Sequence, residues 1–454
     1  MKLLKPLLAL GMLVLAAGCV SEETLIKPPS KSTLGEKNYD HSPALNKNMN
    51  PQDSVNVPIS DTLTFTDALS KALLENPRLQ SFGWQIRIRE AERLQASLLP
   101  NPQLEAEMEN FGGTGPFDGL DSREITIRLG QKILLGADRL KRKRLADYNK
   151  KLAGWDYETR RLDVLTGVTQ AYIFALEAQR QWRQQQELVD VAQKLFDSIS
   201  AQVEAGKVSP IAETRAKVEL SRARIDLKNA LNRFESARGN LASFWGSKQP
   251  AFEGLAGTLN SPDPLPAYQS LTQYIQRNPD VARWATELQQ RESRLALERA
   301  EGIPNPTISG GYERFEDVDA EAAVVGISIP IPFFDRNQGN IQAAKYQINR
   351  VESQRQAAVT EVNRALREAY NTLDASYQEV QQLEDEILPG AESAFEGIQT
   401  GYRQGKFDYL EVLDAQRTLF TSRTRYIQAL AEYNRAVAEV ERLIGTPLSE
   451  ITSN

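Results

Sequence analysis

Pro100-Asn101-Pro102-Gln103-Leu104-Glu105-Ala106-Glu107-Met108-Glu109 decides the fold. After a stiff Pro-Asn-Pro corner, Leu104, Ala106 and Met108 point one way and Glu105, Glu107 and Glu109 the other. That is the period-two pattern of a strand with one apolar face. A partner run comes next, in which Ile125, Ile127 and Leu129 alternate against Thr126 and Arg128. Gly112-Gly113-Thr114-Gly115-Pro116 supplies turn residues between the two. The pattern returns roughly 200 residues later. Pro304-Asn305-Pro306 opens a strand from Thr307 to Phe315, and its expected partner runs from Val324 to Phe333, with Val325, Ile327, Ile329 and Ile331 on one face. Asn76-Pro77 recurs as Asn278-Pro279, and Gly206-Lys207 as Gly405-Lys406, in the same order. A period this long exceeds any solenoid repeat and reads as two copies of one large unit.

Each strand pair leads into a long helical stretch. Val359, Val362, Leu366, Ala369, Leu373, Ser376, Val380, Leu383 and Ile387 alternate spacings of three and four, the seam of a left-handed coiled coil. Leu145, Tyr148, Leu152, Trp155 and Leu162 keep a rougher stripe in the first copy. Asp138 to Glu204 as one helix would reach about 100 Å at ~1.5 Å per residue. Gly206 and Gly405 fit left-handed C-terminal caps at two reversals, after which the chain returns to Phe244 and Ile444. Pro389-Gly390 is expected to kink or interrupt the second outgoing helix. Both ends of each strand pair connect to helices, so the hairpins project to one side. The strand-joining loops, Gly112 to Asp121 and Glu316 to Ala322, lie on the other.

Lys2, Lys5 and the apolar run Leu7 to Ala17 form an export signal too short to span a bilayer. Ala16-Ala17-Gly18-Cys19 resembles a lipoprotein cleavage site that leaves a diacylglycerol on Cys19, and Val20 in place of Asp points to the outer membrane of a Gram-negative cell. The expected organisation is a signal at 1–18, a tether at 19–60, a first repeat at 61–246, a linker at 247–270, a second repeat at 271–446 and a tail at 447–454. Cys19 is the sole cysteine, so no disulfide or thiolate cluster is expected. His41 is the sole histidine, and beyond the signal the methionines are Met49 and Met108, so no metal site is expected. A net charge of -6 argues against nucleic acid as a partner. The basic run Arg139, Lys141, Arg142, Lys143, Arg144 reads as a solvated face near the membrane's periplasmic edge. The chain shows no phosphate loop and no catalytic triad, so no enzyme activity is expected. The strands admit two readings: membrane-length strands, or amphipathic hairpins lying on a soluble helical protein. The export signal favours the first. Four strands cannot close a barrel in lipid, so several chains must contribute, and three would give twelve strands.

Gly401-Tyr402 through Leu410-Glu411-Val412-Leu413-Asp414-Ala415, together with Pro332-Phe333-Phe334-Asp335-Arg336, resembles the TolC-type outer-membrane efflux channels. The resemblance extends over nearly everything after residue 60. Leu99-Pro100-Asn101-Pro102 and Leu135-Gly136-Ala137-Asp138-Arg139 are most similar to the heavy-metal branch of that family. The resemblance implies a mixed α/β membrane protein: a homotrimeric twelve-stranded barrel continued by a periplasmic helical barrel. It implies a passive exit duct for metal cations, served by a periplasmic adaptor (membrane fusion protein) and an inner-membrane pump of the resistance-nodulation-division class. Drug efflux and type I secretion are alternatives within the family, and a lipidated periplasmic adaptor is the alternative outside it. The resemblance places Tyr402, Glu411 and Asp414 at a periplasmic gate, against the alternative of solvated helix-face charges. Phe407 stands where the prototype carries an arginine, so no ionic latch is expected there, and Ala212 with Glu213 beside it shifts any acidic ring in the first copy. Gly206, Lys207, Gly405 and Lys406 would meet the adaptor, and Glu105, Glu107 and Glu109 would line the barrel lumen. No cofactor is implied beyond the lipid on Cys19.

Overall fold

The computed structural model describes residues 61–452. The signal, the lipidation of Cys19, His41 and the tether up to residue 60 lie outside the described residues. In chain order the elements are β1 (Thr62–Leu63), α1 (Phe65–Glu75), α2 (Pro77–Ala96), β2 (Gln103–Glu109), β3 (Glu124–Lys132), α3 (Asp138–Glu204) and α4 (Pro210–Ser243). Then come β4 (Gly254–Leu255), α5 (Tyr268–Thr272), α6 (Pro279–Glu301), β5 (Thr307–Phe315), β6 (Ala320–Ser328) and α7 (Gln338–Gln382). A widened π turn at Leu383–Ile387 leads into α8 (Leu388–Arg403), α9 (Tyr409–Ile444) and α10 (Leu448–Thr452).

The strands form one antiparallel sheet in the order β2-β3-β5-β6, so the two strand pairs meet at β3 and β5. Register sorts the faces. Leu104 pairs with Leu129, Ala106 with Ile127, Ile127 with Tyr312, and Gly310 with Val325, so one face is apolar across all four strands. No described residue covers it: Leu104 is 74% exposed and Val325 82%. The opposite face pairs Glu105 with Arg128, Glu107 with Thr126 and Thr126 with Glu313. β6 departs from expectation. It begins at Ala320 and stops at Ser328, because Pro330 and Pro332 have no N–H to offer a ladder. Ile329, Ile331 and Phe333 therefore extend beyond the strand, and the β5–β6 loop is only 316–319.

Helices α2 and α6 do not stand out in sequence from the general helical background, yet they flank α3 and carry the Asn-Pro landmarks. Asn76 and Asn278 are the N-caps of α2 and α6, each followed by proline at the first helical position. Asn76 Oδ1 accepts the Leu79 N–H at 2.9 Å, and its Nδ2 donates to Phe244 O at the end of α4 at 2.7 Å. Asn278 Oδ1 accepts the Asp280 N–H at 2.8 Å, and its Nδ2 donates to Leu443 O near the end of α9 at 2.9 Å. One buried amide thus brackets the start of a unit to the end of its returning helix, and the device is used twice.

The 247–270 segment is more than a linker. Gly254–Leu255 pairs in parallel with Thr62–Leu63, and the Gln179 amide of α3 clamps Leu255 with a reciprocal pair of bonds at 2.8 and 2.9 Å. Phe252, Leu255 and Leu259 are buried in the main core, and Asn260 and Pro266 accept from Asn434 of α9 and Tyr370 of α7. The segment crosses helices from both halves of the sequence.

The α7 seam packs as its heptads require. Val362, Leu366, Leu373, Ser376, Val380 and Leu383 are buried against α9. Ile387 is the exception at 40% exposure. Pro389 has no N–H to return to the preceding turn, and the ladder answers by widening: Leu388 N–H bonds Leu383 O, five residues back. The extra residue rotates α8 off the seam, so the helix is shifted in phase rather than broken.

Candidate gate at the hairpin tips

Both hairpins reverse through the same cap. Gly206 (φ 69°) and Gly405 (φ 74°) adopt the left-handed conformation. Lys207 N–H bonds Gln202 O at 2.9 Å and Gly206 N–H bonds Val203 O at 2.9 Å. Lys406 bonds Gly401 O at 2.8 Å and Gly405 bonds Tyr402 O at 2.9 Å. These paired bonds satisfy the last helical carbonyls in a Schellman motif. The next helices start on Ser209, which accepts the Ile211 N–H at 3.3 Å, and on Asp408.

At Asp408 the structure assigns Glu411 a local task. Asp408 Oδ1 accepts the Glu411 N–H at 3.0 Å, and Glu411 Oε2 accepts the Asp408 N–H at 2.8 Å. This is a reciprocal capping box. The D-x-x-E spacing of Asp408 and Glu411 signals it in the sequence. Glu411 remains exposed, and Asp414, one turn on, is exposed on the same side of α9. Asp414 makes no ion pair among the described residues; its backbone carbonyl accepts from Thr418 at 3.0 Å.

Two contacts join the hairpins to each other near their tips. Gln202 Nε2 donates to Tyr402 Oη at 3.3 Å, linking α3 to α8. Arg417 of α9 grips Glu219 of α4 with both ends of its guanidinium, at 2.8 and 3.4 Å. The Glu219 hydrogen bond and charge, followed by Asp414, hold the Arg417 guanidinium more firmly protonated than usual. Between these contacts, burial pushes the Tyr409 phenol up to about 12, with Glu219 and Tyr402 adding to the effect. Phe407 lies over Gly401, where a Cβ would run into its ring, so the aromatic at the prototype's arginine position packs rather than pairs. In the first hairpin Ser200 Oγ donates to Glu213 Oε1 at 2.6 Å, which occupies Glu213 within its own hairpin. Gln202, Glu219 and Arg417 carry no signal in the sequence, because each finds its partner about 200 residues away.

At the other end, Glu105, Glu107 and Glu109 share the polar face of the sheet with Glu124 and Glu313. Arg128 Nη2 meets Glu107 Oε2 at 3.3 Å, and Thr126 Oγ1 donates to Glu313 Oε1 at 3.3 Å. Among the described residues no group of three His, Cys, Asp or Glu side chains could hold a metal ion. No described helix is long and apolar enough to cross a membrane.

The profile of the family described as outer membrane efflux protein matches residues 68–247 and again residues 271–446. The chain belongs to that family. The cobalt-zinc-cadmium resistance protein CzcC of Cupriavidus metallidurans is 33% identical over 84% of this chain and 90% of its own length. The outer membrane protein TolC of Escherichia coli is 21% identical over 86% of this chain and 83% of its own. Among solved structures, the Campylobacter jejuni CmeC outer membrane channel superposes with a TM-score of 0.70 at 15% identity, covering 86% of this chain and 88% of that one. The protein is an outer-membrane efflux channel whose helices extend into the periplasm, and the adaptor alternative is set aside.

Proposed function

We propose that three copies of the chain join their sheets edge to edge into one twelve-stranded barrel, and that the duct so formed carries metal cations passively out of the cell. One observation carries the reading: a sheet with an uncovered apolar face, a polar acidic face and two unpaired edges, joined at one end to long hairpins. Unpaired β2 and β6 edges are not tolerated in lipid, and pairing the β2 of one copy with the β6 of the next removes them. The duplicated landmarks and shared brackets support two repeats per copy, which makes the ring pseudo-sixfold. Energy comes from an inner-membrane pump of the resistance-nodulation-division class, engaged through a periplasmic adaptor at the tips around Gly206, Lys207, Gly405 and Lys406. Diacylglycerol on Cys19 adds an anchor.

Metal cargo is favoured by the name of CzcC and by the charge of the path: Glu105, Glu107 and Glu109 on the lumen face and Asp414 at the tips. Three copies converging on one axis would form rings of negative charge that admit cations and slow anions. The gate comprises Tyr402 and Asp414, with Glu411 closing the turn beneath them. Planar-bilayer recording tests the whole. The expected result is a small cation-selective conductance that loses selectivity in Asp414→Asn. Anion selectivity in the wild type, or a monomer with no conductance, would overturn it.

A further inference from the structure

The basic run at the start of α3 is left unused by the gate and the lumen. Arg142 pairs with Asp138 at 2.9 Å, but Lys141, Arg144 and Lys151 have no carboxylate partner among the described residues. Their direction is set by their neighbours. The flanks of α3 are taken by α2, through Lys150 to Glu90 at 2.9 Å, and by α6, through Arg283 to Asp156 at 3.0 Å and Trp155 Nε1 to Thr286 at 2.9 Å. Of the two remaining faces, one carries Asp138 and Arg142. These line a cavity of about 430 Å³ together with Lys132 and Leu134, which continue the polar side of β3. Helical spacing puts Leu140, Arg144 and Lys151 on the face across from it, with half-buried Lys141 at the margin towards α6, from which its long stem can reach that face. That is the side on which Ile133 and Leu135 continue the lipid-facing row of β3. Leu140 is 56% exposed there, and Lys151 Nζ sits 4.8 Å from the centre of the Tyr148 ring.

The second copy serves as an internal control. Ala137 (φ 56°) and Asn337 (φ 60°) are the matching left-handed residues that start α3 and α7. At the same steps after Asn337, the places of Lys141, Arg144 and Lys151 are held by Ile341, Ala344 and Val351. Ala344 and Val351 are buried there, so an exposed cationic face at this level is particular to α3. Lys141 also stands at the end of the first turn of α3, where the backbone is already partly positive, so without an anion it costs stability.

We propose that this face binds the phosphate headgroups of anionic glycerophospholipids in the periplasmic leaflet, with Leu140 against the acyl boundary and Lys141, Arg144 and Lys151 reaching the phosphates. The patch continues the lipid-facing sheet, and its charge selects anionic over zwitterionic lipid. The inference rests on the sheet spanning the membrane. Each cation near such a surface strengthens anionic-lipid binding about fivefold.

The test uses the full chain in detergent, with native mass spectrometry counting retained phosphatidylglycerol against phosphatidylcholine. The wild type should favour phosphatidylglycerol. Arg144→Gln should cut the preference about fivefold, and the triple variant Lys141→Gln/Arg144→Gln/Lys151→Gln about a hundredfold. Lys141→Arg should keep it. Added inorganic phosphate should leave the lipid in place. An undiminished preference in the triple variant would overturn the proposal, as would displacement of lipid by millimolar phosphate, which would mark a free-phosphate site. Bilayer conductance of the same variants separates the two readings: a triple variant that still conducts but no longer selects lipid loses the headgroup face alone. A wild type that never inserts loses the barrel as well.

Discussion

Asn278 is the side chain whose removal the structure prices most closely. It is 1% exposed. Its Oδ1 caps α6, and its Nδ2 reaches Leu443 O at 2.9 Å and Arg442 O at 3.4 Å. Asn278→Ala removes an N-cap, costing about 1 kcal/mol, and leaves a buried carbonyl without its donor, costing about 1–3 kcal/mol. The sum is about 2–4 kcal/mol, concentrated where α6 meets the end of α9. Asn278→Asp divides the two effects. A carboxylate caps α6 as well as the amide did, but it cannot donate to Leu443, and its charge faces the negative end of α9. It should therefore be at least as damaging as alanine. The assay is urea unfolding in detergent followed by circular dichroism, with hydrogen exchange reporting locally on the end of α9. The order wild type, then alanine, then aspartate is expected in both. Aspartate equal to wild type would show that capping alone matters and would refute the bracket between the ends of the unit.

Arg417→Ala removes the two-pronged grip on Glu219; because Arg417 is more than half exposed, stability should fall by only about 0.2–1 kcal/mol, while single-channel conductance rises as the tips separate. Gly401→Ala should push Phe407 off the α8 backbone and widen the tip, seen as faster cleavage by protease near Gln404-Gly405. Burial pushes the Glu441 carboxyl up to about 7, against the Leu448 N–H that its Oε1 accepts at 2.9 Å. A raised folded pKa means that the folded state holds the proton longer, so this contribution is full below about 4.5 and is lost as pH climbs through about 7. Glu441→Gln should flatten that slope and stabilise the protein at pH above 7 by on the order of 3 kcal/mol, measured as the urea midpoint against pH; an unchanged slope would refute the assignment.

The strands were legible because Leu104, Ala106 and Met108 alternate without a break, and a sheet with one apolar and one polar face enforces that alternation. The end of β6 was misread because Ile329 and Ile331 continue the hydrophobic rhythm, while the missing N–H groups of Pro330 and Pro332 decide the ladder. Asn76-Pro77 and Asn278-Pro279 stood out as landmarks, but nothing local says that their amides reach Phe244 and Leu443, more than 160 residues on. The segment around Gly254 read as a linker because its glycines and prolines outweigh Phe252, Leu255 and Leu259, whose partners lie in distant helices. At the tips the turns were readable from Gly206 and Gly405. The capping role of Glu411 was equally local and could have been read from Asp408. The Glu219 and Gln202 contacts were beyond reach, since they join helices from different halves of the sequence.

The four-stranded sheet also sets the terms of the protein's life before it reaches its place. A newly exported copy carries a greasy sheet face and two adhesive borders into an aqueous compartment, and no described portion of the same chain shields them. Each border is open to pairing with the other border of an identical copy, so encounters on the wrong footing would grow open-ended ribbons in place of the proposed ring. In the proposed ring, closure and membrane entry must then occur together, and the abundance of the finished channel is set by how seldom a lone copy waits.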